Sequence, residues 1–166
     1  MTKEKTANEM ALDVIEKAIA KRLMLVLAES CTGGMIAAAL TDIAGSSAVV
    51  ERGLVTYSNS AKIELLAVPA ATLETHGAVS VQTATAMAAG ALGNAAAAQI
   101  ALSVTGIAGP GGGSPQKPVG LVHFAVAHRS NSIETNAHIF AGTRAEIRHQ
   151  ALETGLRLLC EAISKY

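Results

Sequence analysis

The chain has 166 residues, half of them hydrophobic, and its 13 basic residues balance 13 acidic ones. That length fits one domain with a sizeable core, and the apolar content at zero net charge excludes a disordered chain. It also argues against a nucleic-acid partner, which requires a basic face; the aromatics, Tyr57, Phe124, Phe140 and Tyr166, are too few and too scattered to stack on a single strand.

In chain order, the polar start MTKEKTANEM carries no apolar signal core. Residues 7–20 space Met10, Ala11, Val14, Ile15 and Ala18 as one face of an amphipathic helix. LMLVLA, 23–28, is a short continuous apolar run that fits an inner strand, ending at Glu29. Small residues from Thr32 to Ala44 predict a helix stopped by Gly45. A strand is expected over 48–57, rich in Val49, Val50, Val55 and Thr56, then a short helix in SNSAKIELLAV closed before Pro69. Residues 70–79 read as a connection. Ser80 fits the N-cap of a helix to about Leu92. IALSVTG, 100–106, predicts a strand, and 107–118 a Gly/Pro-rich loop. Strands over 119–127 and 132–140, joined by HRSNS, should pair as a hairpin. Thr143 with Glu146 is a capping box for a last helix, with Ile147, Ala151, Leu158, Leu159 and Ala162 on one face. Alternating elements predict an α/β fold with a mixed sheet.

Four segments could carry chemistry. In LAESCTGG a strand ends, Ser30 sits at the turn and a helix begins, so helix amides could face whatever Ser30 attacks. Gly33 and Gly34 let a substrate approach the backbone. Ser30 or Thr32 fits a plain N-cap equally well. Cys31, at a helix start, is a rival nucleophile with no histidine next to it in sequence. In VTYSNSAK, Lys62 lies in the first turn of a helix, where the dipole disfavours a cation and burial would favour a neutral amine. Such an amine could serve Ser30 as general base, with the Tyr57 phenol relaying the proton; a solvated lysine is the plain alternative. SVTGIAGPGGGSPQKPVG puts Thr105 and Gly106 where a strand meets a loop of binding or gating length; it matches neither a Walker A nor a Rossmann fingerprint. FAGTRAEIRHQ places Arg144 and Arg148 at a helix start, either a phosphate seat or a solvated pair. His76, His123, His128, His138 and His149 are scattered without ligand spacing, so no metal is expected.

Taken together, AESCTGG, YSNSAK, GAVS, TGIAGPGGG, KPVG and GTR with IR, over nearly the whole chain, resemble the CinA C-terminal domain family of nicotinamide-nucleotide amidases. The resemblance implies a three-layer α/β/α sandwich, a single domain over 1–166 and no cofactor. It implies hydrolysis of the carboxamide of nicotinamide mononucleotide (NMN) to nicotinate mononucleotide and ammonia. Ser30 carries over as nucleophile with Lys62 and Tyr57 as partners. Cys31, Thr32, Gly33, Gly34, Thr105, Gly106 and Arg144 count as substrate-binding, Arg144 as a phosphate contact. Family members vary at the Cys31 position, which disfavours it as nucleophile. Longer members carry an N-terminal molybdopterin-binding-like domain, whose activity is not expected here. The alternative function is a non-catalytic nucleotide-binding module linked to competence or DNA damage. With Cys31 and Cys160 expected to be reduced, the chain reads as cytoplasmic, without membrane or nucleic-acid partners, and as a homodimer.

Overall fold

The computed structural model of the protein describes residues 5–166; the first four, which begin the polar N-terminal stretch, lie outside the described residues. Five strands form one mixed sheet: β1 (Leu25–Glu29), β2 (Val50–Val55), β3 (Ile100–Gly106), β4 (Leu121–His128) and β5 (Ile133–Ile139), in the order β2-β1-β3-β4-β5. β1 runs parallel to both β2 and β3, while β3–β4 and β4–β5 are antiparallel. The helices are α1 (Ala7–Lys21), α2 (Met35–Thr41), α3 (Asn59–Leu66), α4 (Ala70–His76), α5 (Val81–Asn94) and α6 (Arg144–Ser164). No helix among the described residues is long and apolar enough to cross a membrane.

Side chains alternate between the two faces of a strand, and here the alternation sorts residues by size. Leu25 and Leu27 of β1, Ile100, Leu102 and Val104 of β3, and Val122, Phe124 and Val126 of β4 point to one face, where α1, α2 and α6 cover them. Val26, Ala28, Ala101, Ala125 and Ala127 point to the other, where they meet Ala84, Ala88 and Ala91 of α5. The small face lets α5 lie close to the sheet, with Ser103 donating to the Ala84 carbonyl at 2.6 Å. α3 is held just as closely: a Cβ on Gly90 of α5 would come within 1.8 Å of the Leu66 carbonyl oxygen at the end of α3.

The expected elements differ in places. The second helix starts at Met35 rather than Thr32, because residues 30–34 form a turn with Gly33 and Gly34 at positive φ. A 3-10 turn, Ser46–Ala48, precedes the second strand. The 70–79 segment is not a connection: Pro69 caps a helix over Ala70–His76, which buries Leu73. The Ser80 cap and the Thr143/Glu146 capping box are present as read.

The sheet order also locates a crevice. From β1 the chain turns through α2 to β2 on one side; from β3 it continues to β4 on the other. The gap beyond the carboxyl ends of β1 and β3 is therefore the switch point at which α/β sheets bind ligands.

Candidate active site

Ser30 follows the last residue of β1, and Thr105 and Gly106 end β3, so both segments open on that crevice. It is a cleft of about 260 Å³, lined on these sides by Ser30, Cys31, Thr105 and Gly106 and closed by Tyr57, Lys62, Arg144 and the start of the Gly-rich loop. A larger depression of about 690 Å³ lies beside the first turns of α6 but presents no nucleophile with a partner base.

Lys62 and Leu66 are the buried residues of α3, one turn apart on its inner stripe. The lysine therefore enters the core, where only 1% of it is exposed. Its Nζ lies 3.0 Å from Ser30 Oγ, 2.8 Å from the Thr56 carbonyl oxygen and 3.1 Å from the Tyr57 carbonyl oxygen. Burial pushes its pKa below the ordinary lysine value, against a small opposing effect of the Cys31 thiol. A neutral amine has two N–H bonds and one lone pair. When the amine is neutral, the two carbonyls accept its N–H bonds and the lone pair is left for the Ser30 hydroxyl. No carboxylate among the described residues pairs with Lys62 to hold it charged.

The Tyr57 phenol is not between these two groups. It is 61% exposed and accepts a hydrogen bond from Arg144 at 3.1 Å; only the Tyr57 carbonyl meets Lys62. The relay expected from the sequence has no hydrogen-bonded path, because the side chain leaves the backbone on the solvent side. Arg144 also donates to the Gly109 carbonyl at 2.8 Å, joining α6 to the Gly-rich loop across the cleft. Arg148 is half-buried and turned back onto the turn that follows β1. It donates to the carbonyls of Cys31 and Thr32 at 3.0 and 3.2 Å.

Thr105 is buried and donates to the Ala78 carbonyl at 2.7 Å, fixing the far wall. Gly106 is required there: a Cβ would come within 2.6 Å of Val122 and 2.8 Å of the Leu121 carbonyl oxygen. Cys31 lines the cleft, but burial pushes its thiol up to about 11, the opposite of a reactive thiolate. Thr32, Gly33 and Gly34 do not line the cleft. Neither Ser30 nor Thr32 caps α2, whose N-cap is Gly34.

The sequence reading passed over Glu29. Its buried carboxylate accepts the Thr32 hydroxyl at 2.6 Å and the amides of Gly34, Ile36 and Ala37 at 3.1, 3.2 and 2.8 Å. The amides expected to face a substrate are thus taken by a side chain of the preceding strand. The signal was legible: an acidic residue closing an apolar run, just before a helix that has no capping side chain of its own.

The CinA C-terminal domain family matches residues 7–163. The chain is 51% identical over 158 residues to the nicotinamide-nucleotide amidohydrolase PncC of Enterobacter agglomerans, covering 93% of this chain and 96% of that protein. It is 50% identical to a CinA-like protein of Mycolicibacterium vanbaalenii over 96% of its own length but spans only 37% of that longer relative. Among solved structures it is similar to the competence/damage inducible protein CihA of Agrobacterium tumefaciens, with a TM-score of 0.92 at 49% identity over 99% of both chains. A CinA-superfamily protein of Klebsiella pneumoniae superposes with a TM-score of 0.92 at 38% identity, covering 98% of this chain and all of that one.

Proposed function

The chain belongs to the CinA C-terminal domain family, and from that premise we propose that it is a nicotinamide-nucleotide amidase that hydrolyses the carboxamide of NMN through a Ser30–Lys62 dyad. The observation that carries the reading is the 3.0 Å contact between Ser30 Oγ and the buried Lys62 Nζ at the floor of the cleft.

Lys62 takes the Ser30 proton as Oγ attacks the amide carbon. The carbonyl oxygen becomes an oxyanion held by backbone amides. Lys62, now protonated, delivers its proton to the departing nitrogen, and ammonia leaves from an acyl-enzyme ester. A water, deprotonated by the same amine, attacks the ester; the proton returns to Ser30, and nicotinate mononucleotide departs. Splitting the reaction this way lets one base serve both halves. Arg144, at the first turn of α6, lies across the cleft to receive the phosphate, where guanidinium and helix dipole both favour an anion.

Purified protein is expected to release ammonia from NMN, and Ser30→Ala to release none above background. If Ser30→Ala turns over NMN at a wild-type rate, the dyad is wrong. If wild-type protein binds NMN yet releases no ammonia, a nucleotide-binding module is what remains.

A further inference from the structure

Glu29 lies next to the nucleophile in sequence but on the other side of β1, since successive side chains point to opposite faces. Ser30 turns toward α3; Glu29 turns toward α2 and is 1% exposed. All of the hydrogen-bond partners of its side chain belong to the turn and the first residues of α2. Four donors thus converge on the two oxygens of one side chain.

The remaining polar groups of the turn are disposed around it. The Ser30 amide donates to the Val104 carbonyl, the Ser30 carbonyl accepts from the Gly33 amide, and the carbonyls of Cys31 and Thr32 accept from Arg148 of α6. Glu29 takes the amides of Gly34, Ile36 and Ala37. Among the described residues neither the Cys31 amide nor the Thr32 amide donates to another residue's main chain; the Cys31 amide faces only its own thiol, and Thr32 is fully buried. In a planar trans peptide the N–H points opposite to the C=O. Arg148 holds the Cys31 carbonyl on the α6 side, so the Thr32 N–H of that peptide is turned away from α6. Cys31 itself lines the cleft beside Ser30.

We propose that Glu29 is a positioning residue that holds the Ser30–Gly34 turn so that the amide of Cys31, beside Ser30 in the cleft, receives the oxyanion. The inference rests on the Ser30–Lys62 reading. Glu29 touches no substrate; it acts through the turn, with Arg148 as its counterpart on the carbonyl side.

In folded protein, Glu29→Gln replaces an acceptor by an amide NH2 facing main-chain N–H groups. It is expected to lower kcat by about 100-fold, the scale of a lost oxyanion donor, with KM within about threefold. The acid limb of the pH–rate profile, set by Lys62, stays where it is. Thr32→Val, which removes one donor to Glu29, is expected to lower kcat about tenfold, and Thr32→Ser to restore it. Wild-type kcat in Glu29→Gln, a loss confined to KM, or an acid limb that moves with the loss would each overturn the proposal. If Glu29→Gln does not fold, equal kcat in Thr32→Val and Thr32→Ser overturns it. Ser30→Ala assayed alongside separates the two readings: its turnover sinks the dyad, whereas its inactivity beside a fully active Glu29→Gln sinks only the role of Glu29.

Discussion

At the floor of the cleft, Ser30, Lys62 and Thr105 are at most 8% exposed, and each is hydrogen-bonded to main chain or to another floor residue. At its rim, Tyr57 is 61% exposed, Arg144 is exposed, and the loop glycines Gly111 and Gly112 stand in solvent. Floor groups have one geometry available, and burial changes their chemistry. Rim groups keep ordinary chemistry and can rearrange around a ligand. The difference assigns bond-breaking to the floor and recognition of the charged end of the substrate to the rim, so damage to the two should read out differently: kcat for the first, KM for the second.

The largest effect belongs to Lys62. Lys62→Met keeps an unbranched chain of similar length in the same buried slot but removes the base, and kcat is expected to fall by about 10³–10⁴-fold. In wild-type protein the amine must be neutral to accept the Ser30 proton, so kcat/KM should rise about tenfold per pH unit on the acid side of the Lys62 pKa and then level off. Because burial lowers that pKa, the midpoint lies below the ordinary lysine value. A pH–rate profile with no ascending limb, or the same limb in Lys62→Met, would remove the floor from the comparison.

Gly90 tests how rigidly the floor is set from outside the cleft. Ala at this mid-helix position gains about 1 kcal/mol of helix propensity. The 1.8 Å approach of the new Cβ to the Leu66 carbonyl oxygen must be relieved by moving α3 off α5, at a cost of about 3 kcal/mol. The clash wins by about 2 kcal/mol, so Gly90→Ala should lower Tm by roughly 4–8 °C. It should also lower kcat by up to about 100-fold, because α3 carries Lys62. An unchanged kcat would mean that Lys62 keeps its contact by adjusting its own side chain.

Much of this architecture could be read from residues alone. The capping box at Thr143/Glu146, the Ser80 cap and the apolar run of the first strand specify their elements locally, because their signals lie within a few residues. The pairing of Ser30 with Lys62 was carried by the family likeness; the physical reason for it, Lys62 one turn before Leu66 on the buried stripe of α3, became visible only with the fold. Three features could not be read locally. Gly90 looks like a weak spot in a helix until α3 packs on it. The Tyr57 phenol and its own carbonyl face different neighbours, which no motif encodes. Arg148 bonds to residues more than a hundred positions away.

At the rim the expected effects are smaller and fall on KM. Arg144→Ala removes a guanidinium that can make charge-assisted hydrogen bonds to a phosphate, each worth about 1.5–3 kcal/mol. KM for the nucleotide should rise about 10–100-fold with kcat nearly unchanged. The corresponding nucleoside, without a phosphate, should be hydrolysed equally well by both proteins. An equal loss on both substrates would show that Arg144 supports the loop through Gly109 rather than reading the phosphate.

Tyr57→Phe gives the smallest expected change and separates the two regions most directly. The ring, and the backbone carbonyl that accepts from Lys62, both remain; only the acceptor for Arg144 is lost. That bond is solvent-exposed, so its loss should cost less than about 1 kcal/mol and raise KM no more than about fivefold. A proton relay would behave in the opposite way, with kcat falling by about 10²-fold or more at constant KM. A kcat effect in Tyr57→Phe would mean that substrate binding swings the phenol from Arg144 down to Ser30, and that the rim takes part in bond-breaking once the cleft is filled. With kcat unchanged, the tyrosine belongs to the rim alone, and the dyad works through a direct contact between hydroxyl and amine.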